Sequence, residues 1–154
     1  MMRPLATIGY EGATVQGFLN ALREQGIELL VDVRAVAMSR RPGFAKTRLA
    51  ANLAEAGIEY LHLRGLGTPA DGRAAARSGR HDEMRRIFLD HLATPVAQTD
   101  LETLISIVSG GRRAALLCFE ADPRHCHRSL VVDAMMARLQ LQVSHLTPVS
   151  DEPD

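Results

Sequence analysis

The stretch Cys118-Phe119-Glu120-Ala121-Asp122-Pro123-Arg124-His125-Cys126-His127-Arg128 brings thiols, carboxylates, imidazoles and guanidinium groups into one short run. Cys126 falls at or near a helix start beside His127 and Arg128. The helix dipole and positive neighbours there favour a thiolate, so Cys126 is a candidate nucleophile. The plainer reading is a small residue packing the first turn. Glu120 lies just past an apolar run, where partial loss of water would raise its pKa and fit it for general acid or base work. Equally, it could pair with Arg128 or Arg34 and hold the loop closed. Asp32, flanked by Val31 and Val33, is the third candidate for chemistry. A lone carboxylate there needs a donor, which a loop N–H or Arg34 would supply. Asp122 before Pro123 is most simply a turn or helix cap.

Other chemistries fit less well. Cys118 and Arg124 have the Cys-x5-Arg spacing of phosphatases, but Pro123 lacks an N–H, and Glu120 and Asp122 would repel a dianion. Leu30 to Arg34 and Ala115 to Ser129 resemble the two signature stretches of a rhodanese-like sulfurtransferase. The same carboxylates count against a persulfide loop, so a thiol-dependent transferase stands as an alternative. The cysteine spacing fits neither Cys-x-x-Cys nor a zinc ribbon. His62, Cys118, Cys126, His127 and His145 are suitable metal ligands by type, but no local spacing makes them converge, and no metal site is assigned. Gly9 to Gly12 frames Tyr10 and Glu11 in a tight turn that lets a ligand approach the backbone. The glycine spacing is not a dinucleotide fingerprint, and the sequence names no cofactor.

A positive patch runs through Arg34, Arg40, Arg41, Lys46 and Arg48, with no acid from Val33 through Ala54. It suits phosphate groups of a nucleotide or nucleic acid, with Phe44 to stack on a base. The alternative is a solvated arginine-rich loop. Whole-chain charge is no guide, because the formal net charge is zero.

These groups need a scaffold, and the hydrophobic pattern supplies one. At 154 residues the chain is of single-domain size and large enough to bury a core without crosslinks. Leu5 to Gly9 reads as a strand, then a helix capped by Thr14 with Val15, Phe18, Leu19 and Leu22 on one face and Gly26 as its left-handed stop. Leu29 to Val33 is the continuous apolar run of a strand covered on both faces. A helix from Thr47 to Ala56, closed by Gly57, leads to a third strand from Ile58 to Leu63. The glycine-rich stretch from Arg64 to Arg80 reads as a mobile loop or lid. Helices follow from about Asp82 to Leu92 and Asp100 to Ser109, then a buried strand at Ala114 to Phe119, an amphipathic helix from His127 to Gln140 and a fifth strand from Gln142 to Leu146. Residues 150–154 form an acidic tail expected to fray.

Alternating strands and helices imply a three-layer, Rossmann-like α/β domain over residues 1–149, with a mostly parallel five-stranded sheet. No apolar run is long enough for a membrane span. Two closely placed cysteines and no leader-like segment suggest a cytoplasmic chain with free thiols, metal ligands or a redox couple. In such sheets ligands bind beyond the carboxyl ends of the strands. That rule gathers Tyr10 and Glu11, Asp32 and Arg34, His62, and Cys118 and Glu120 with Cys126, His127 and Arg128.

Several blocks also resemble one bacterial family, domain of unknown function 488. They are Thr7-Ile8-Gly9-Tyr10-Glu11-Gly12, Leu30-Val31-Asp32-Val33-Arg34, Ser39-Arg40-Arg41-Pro42-Gly43-Phe44, Gly57-Ile58-Glu59-Tyr60 with His62-Leu63, Leu66-Gly67, and Cys118-x-Glu120 with Cys126-His127-Arg128-Ser129. The resemblance covers nearly the whole chain. It implies an α/β fold and a shared polar surface at these blocks, and it brings no established reaction.

The expectation is an enzyme-like pocket for a small anionic or nucleotide-like ligand. Tyr10, Glu11, Arg34, Arg40, His62, Cys118, His127 and Arg128 are its candidate binding residues, and Glu120, Cys126 and Asp32 its candidate catalysts. The rival is a non-catalytic nucleic-acid module that uses the 34–48 loop. Oligomeric state is not readable from these residues.

Overall fold

The computed structural model describes residues 2–148, so the acidic tail lies outside the described residues. Strands β1 (Arg3–Gly9), β2 (Leu29–Asp32), β3 (Glu59–His62), β4 (Ala114–Cys118) and β5 (Leu141–Leu146) form one sheet in the order β3-β2-β4-β1-β5. Every neighbouring pair is parallel. Such a sheet must be covered on both faces, because its crossovers lie across them.

The apolar residues divide accordingly. Ala6, Ile8, Leu30, Ala115 and Leu117 pack against α1 (Val15–Glu24) and α2 (Lys46–Glu55) through Phe18, Leu22, Leu49 and Leu53. Leu5, Leu29, Val31, Ala114 and Leu116 face the other way. There they meet α3 (Ala70–Arg77), α4 (His81–Leu92), α5 (Pro95–Ser109) and α6 (Arg128–Met136). Alternation along each strand thus feeds two cores, one per face.

Local signals explain most element ends. Thr14 caps α1 by accepting from the Gly17 amide, and Gly26 beyond its end has φ +65°. Two elements depart from the sequence expectation. The stretch from Arg64 to Arg80 is structured: a single 3-10 turn spans Arg64–Leu66, and α3 occupies Ala70–Arg77. Gly67 and Gly72 serve close packing instead. A Cβ on Gly67 would come within 2.2 Å of the Ala35 backbone, and one on Gly72 within 2.5 Å of the Thr68 side chain. α5 begins at Pro95 because Thr94 caps it and proline suits the first helical position.

The strand order also places the functional end of the sheet. β2 and β4 are neighbours, but the chain leaves β2 toward β3 and leaves β4 toward β5, in opposite directions. Diverging connections open a crevice between those two strand ends.

Candidate functional site

One wall of the crevice is built by β2. Asp32 is fully buried, and both of its oxygens are engaged. Oδ1 accepts from the Arg34 backbone N–H at 3.0 Å and from Nε at 2.9 Å. Oδ2 accepts from Arg34 Nη2 at 2.7 Å and from the Tyr60 hydroxyl at 2.5 Å. Arg34 Nη1 donates to the Phe44 carbonyl at 2.8 Å and to the Tyr10 hydroxyl at 3.3 Å. Burial works against the Arg34 cation, but the bond and charge of Asp32 outweigh it, so the proton is held more tightly than in an ordinary arginine. Burial and the same carboxylate push the Tyr60 phenol up. Asp32, expected from sequence to do chemistry, has both oxygens hydrogen-bonded to Arg34 and Tyr60 in this structure.

The other wall is the loop after β4. Arg128, at the first turn of α6, is wholly buried, and no carboxylate among the described residues forms an ion pair with it. It donates from Nη1 to Cys118 Sγ at 3.1 Å and to the Glu120 carbonyl at 2.5 Å, and from Nη2 to the Ala121 carbonyl at 3.2 Å. Its Nε has no hydrogen-bond partner among the described residues. Burial brings the guanidinium down to about 10, against the pull of Glu120 and Asp122. The Arg128 amide donates to Cys126 Sγ at 3.5 Å. The two sulfurs are joined as a disulfide, with the Cα atoms 7.2 Å apart.

His127 hydrogen-bonds through Nε2 to the Val33 carbonyl at 2.7 Å. A carbonyl only accepts, so Nε2 carries the hydrogen. In the neutral ring Nδ1 then holds a lone pair, 3.7 Å from Cys126 Sγ. Burial depresses the imidazole to about 4, which keeps it neutral near pH 7. Asp122 is a capping acid: its Oδ1 accepts from the Arg124 amide, and the Arg124 side-chain bond holds the carboxyl down at about 2.

Between the walls lies a cleft of about 670 Å³. Seven of the residues picked out from sequence line it: Tyr10, Glu11, Arg34, Cys118, Glu120, Cys126 and His127. Asp32 and Arg128 lie beneath it, each 0% exposed. Two stand elsewhere. Arg40 is exposed on the loop after β2 and does not line the cleft, and His62 bonds through Nε2 to the Arg34 carbonyl at 2.7 Å. Glu120 has no ion pair among the described residues; Arg128 takes its carbonyl instead. Burial first, then the charge of Glu11, raises the Glu120 carboxyl.

The cleft also contains residues that the sequence pattern did not single out. Arg73 and Arg77 reach it from α3, with Thr68 and His125 at its edge. Arg73 Nη1 donates to the Thr68 carbonyl at 2.9 Å, and neither arginine forms an ion pair with an acid among the described residues. The signal for them was the run Ala74-Ala75-Ala76 after Pro69 and Asp71, a helix start masked by its glycines. Val36, Met38 and Phe119 are all partly exposed along the same cleft.

The 34–48 loop differs from expectation in one respect. Phe44 is 1% exposed, stacked on Tyr10 at 4.7 Å and edge-on to Phe18, so it offers no face to a base. Arg34 is likewise buried, and Arg41 donates to the Ala13 carbonyl.

The turn after β1 clamps both walls together. The Glu11 amide donates to the Phe119 carbonyl at 2.9 Å, and the Glu11 carboxylate accepts from the Ala121 amide at 3.0 Å. Contact this close requires Gly9, since a Cβ there would stand 1.8 Å from the Glu120 carbonyl oxygen. Gly9→Ala is therefore expected to lose about 2–4 kcal/mol of stability in urea unfolding. Unchanged stability would show that the loop yields without cost.

A model of the family described as Domain of unknown function DUF488 matches residues 14–135. No curated protein matches the chain. No helix among the described residues is long and apolar enough to cross a membrane.

Proposed function

The chain belongs to the DUF488 family, and from that premise we propose that the cleft between the β2 and β4 ends is an active site for a small anionic substrate. The observation that carries this reading is the contents of the cleft: Cys118, Cys126, His127 and Glu120 line one recess together with Arg73 and Arg77. The arginines supply the anion-binding side. Unlike Arg34, they have no carboxylate partner among the described residues, and a planar fork matches phosphate or carboxylate oxygens in pairs.

Val36, Met38 and Phe119 give the recess an apolar lip. A ligand with both a flat apolar part and an anionic group, such as a nucleotide, uses both features. Glu120 has the character of a general acid, because burial and Glu11 favour its protonated form. Asp32 and Arg128 act from below as positioning residues. Asp32 fixes Arg34 and the β2 wall, and Arg128 fixes the Cys118–Ala121 backbone. The nucleic-acid reading of the 34–48 loop is weaker, since it loses Arg34 and Phe44 to the interior.

The test uses inorganic pyrophosphate as the probe. At millimolar pyrophosphate the thermal midpoint of the protein is expected to rise, because a ligand that binds only the folded state stabilises it. The rise should vanish in the double variant Arg73→Ala, Arg77→Ala and persist in Arg40→Ala, Arg48→Ala. The reverse pattern would move anion binding to the 34–48 loop and overturn the proposal.

A further inference from the structure

We infer that Cys118, Cys126 and His127, in the reduced protein, form a binding site for a borderline-soft divalent cation such as zinc, with its open coordination position facing the cleft. The sulfurs and a ring nitrogen of these three residues lie within 4.8 Å of one another, and all three line the cleft.

Four features support the assignment. Two thiolates and an imidazole are the ligand chemistry of zinc, and three protein ligands with a vacant fourth place are the pattern of catalytic sites. His127 is prepared as a ligand. Its Nε2–H is held by the Val33 carbonyl at 2.7 Å, which orients the ring and leaves Nδ1 beside Cys126 Sγ at 3.7 Å. Metal-binding histidines commonly have this bond on the far nitrogen.

Both sulfurs already accept N–H bonds, Cys118 from Arg128 Nη1 at 3.1 Å and Cys126 from the Arg128 amide at 3.5 Å. Such donors offset thiolate charge. Backbone spacing is the fourth feature. The Cα atoms are 7.2 Å apart, beyond the ~4.4–6.8 Å usual for disulfides. Two sulfurs at ~2.3 Å from one tetrahedral ion stand about 3.8 Å apart, which suits the wider spacing.

Charge completes the picture. Two thiolates cancel a divalent ion, and Arg128 beneath adds one positive charge, so the open position favours an anionic ligand. In this respect the inference deepens the reading of the cleft as an anion site and rests on it, whereas the ligand set rests on geometry alone.

The experiment uses the whole protein, reduced with a phosphine, stripped of metal by a chelator and kept free of oxygen. Co²⁺ is the probe. The expected result is one Co²⁺ per chain, with a thiolate-to-cobalt charge-transfer band and the intense visible bands of a tetrahedral ion. Zn²⁺ should displace it, with release of thiol protons. Cys118→Ser and Cys126→Ser should each weaken the charge-transfer band, and His127→Gln should lower affinity with the band retained. Absence of the band in the folded, reduced wild type would overturn the inference, as would an unchanged spectrum in both serine variants. Pyrophosphate binding measured on the same samples separates the two proposals. No cobalt signal with the Arg73/Arg77-dependent response intact overturns the metal site alone, and the opposite result overturns the anion reading alone.

Discussion

Replacing Asp32 with alanine lowers folding stability by about 3–5 kcal/mol, the cost of leaving a buried charge without its partner. Arg34 is 6% exposed, and its side chain donates twice to Asp32 and once to the Tyr10 hydroxyl. Once the carboxylate is gone, no other acid among the described residues is paired with Arg34, and the Tyr60 hydroxyl loses its acceptor as well. The measurement is urea unfolding of Asp32→Ala beside Asp32→Ala, Arg34→Met. The double variant is expected to recover part of the loss, because apolar packing substitutes well for a buried ion pair but poorly for half of one. A stable Asp32→Ala that lacks only activity would restore Asp32 to the chemistry.

That expectation also shows where sequence reasoning stops. A carboxylate between two valines in an apolar run announces that it has a partner, and Arg34 was one of the partners named. The run does not say whether the pair serves a substrate or the fold. That depends on where the other Arg34 donors go, and Nη1 turns to Phe44 and Tyr10, residues distant in sequence. Continuous apolar runs placed β2 and β4, buried along their whole length, whereas β3 and β5 at the sheet edges are only partly buried and were placed by their spacing between helices. Apolar periodicity missed α3, because Gly72 lowers helix propensity and its packing against Thr68 is a tertiary fact. Arg73 and Arg77 went unnoticed with it. The strand-end rule brings Cys118, Cys126 and His127 to one crevice but not to ligand distance of one another. Their convergence comes from the turn at Pro123–His125 folding back over the β4 end, and no ligand spacing encodes it.

Arg128→Ala carries the second large effect. The variant is expected to lose about 2–4 kcal/mol and to bind Co²⁺ about 10–100-fold more weakly. Both losses have one origin. The guanidinium ties Cys118 Sγ to the Glu120 and Ala121 carbonyls, so its removal frees the loop and takes a donor from the thiolate. Arg128→Lys keeps the charge, but a single ammonium does not span three acceptors as a planar fork does. It should fall between alanine and wild type in urea unfolding and in cobalt titration. Wild-type stability and cobalt affinity in Arg128→Ala would show that the loop is held by the Glu11 clamp alone.

The most direct test of the cleft is a crystal structure of the protein soaked in tungstate, a heavy tetrahedral anion located by its anomalous signal. The account predicts tungstate in the recess between the β2 and β4 ends, within hydrogen-bond reach of Arg73 or Arg77. Anomalous density on the Arg40 to Arg48 loop, with the recess empty, would contradict it.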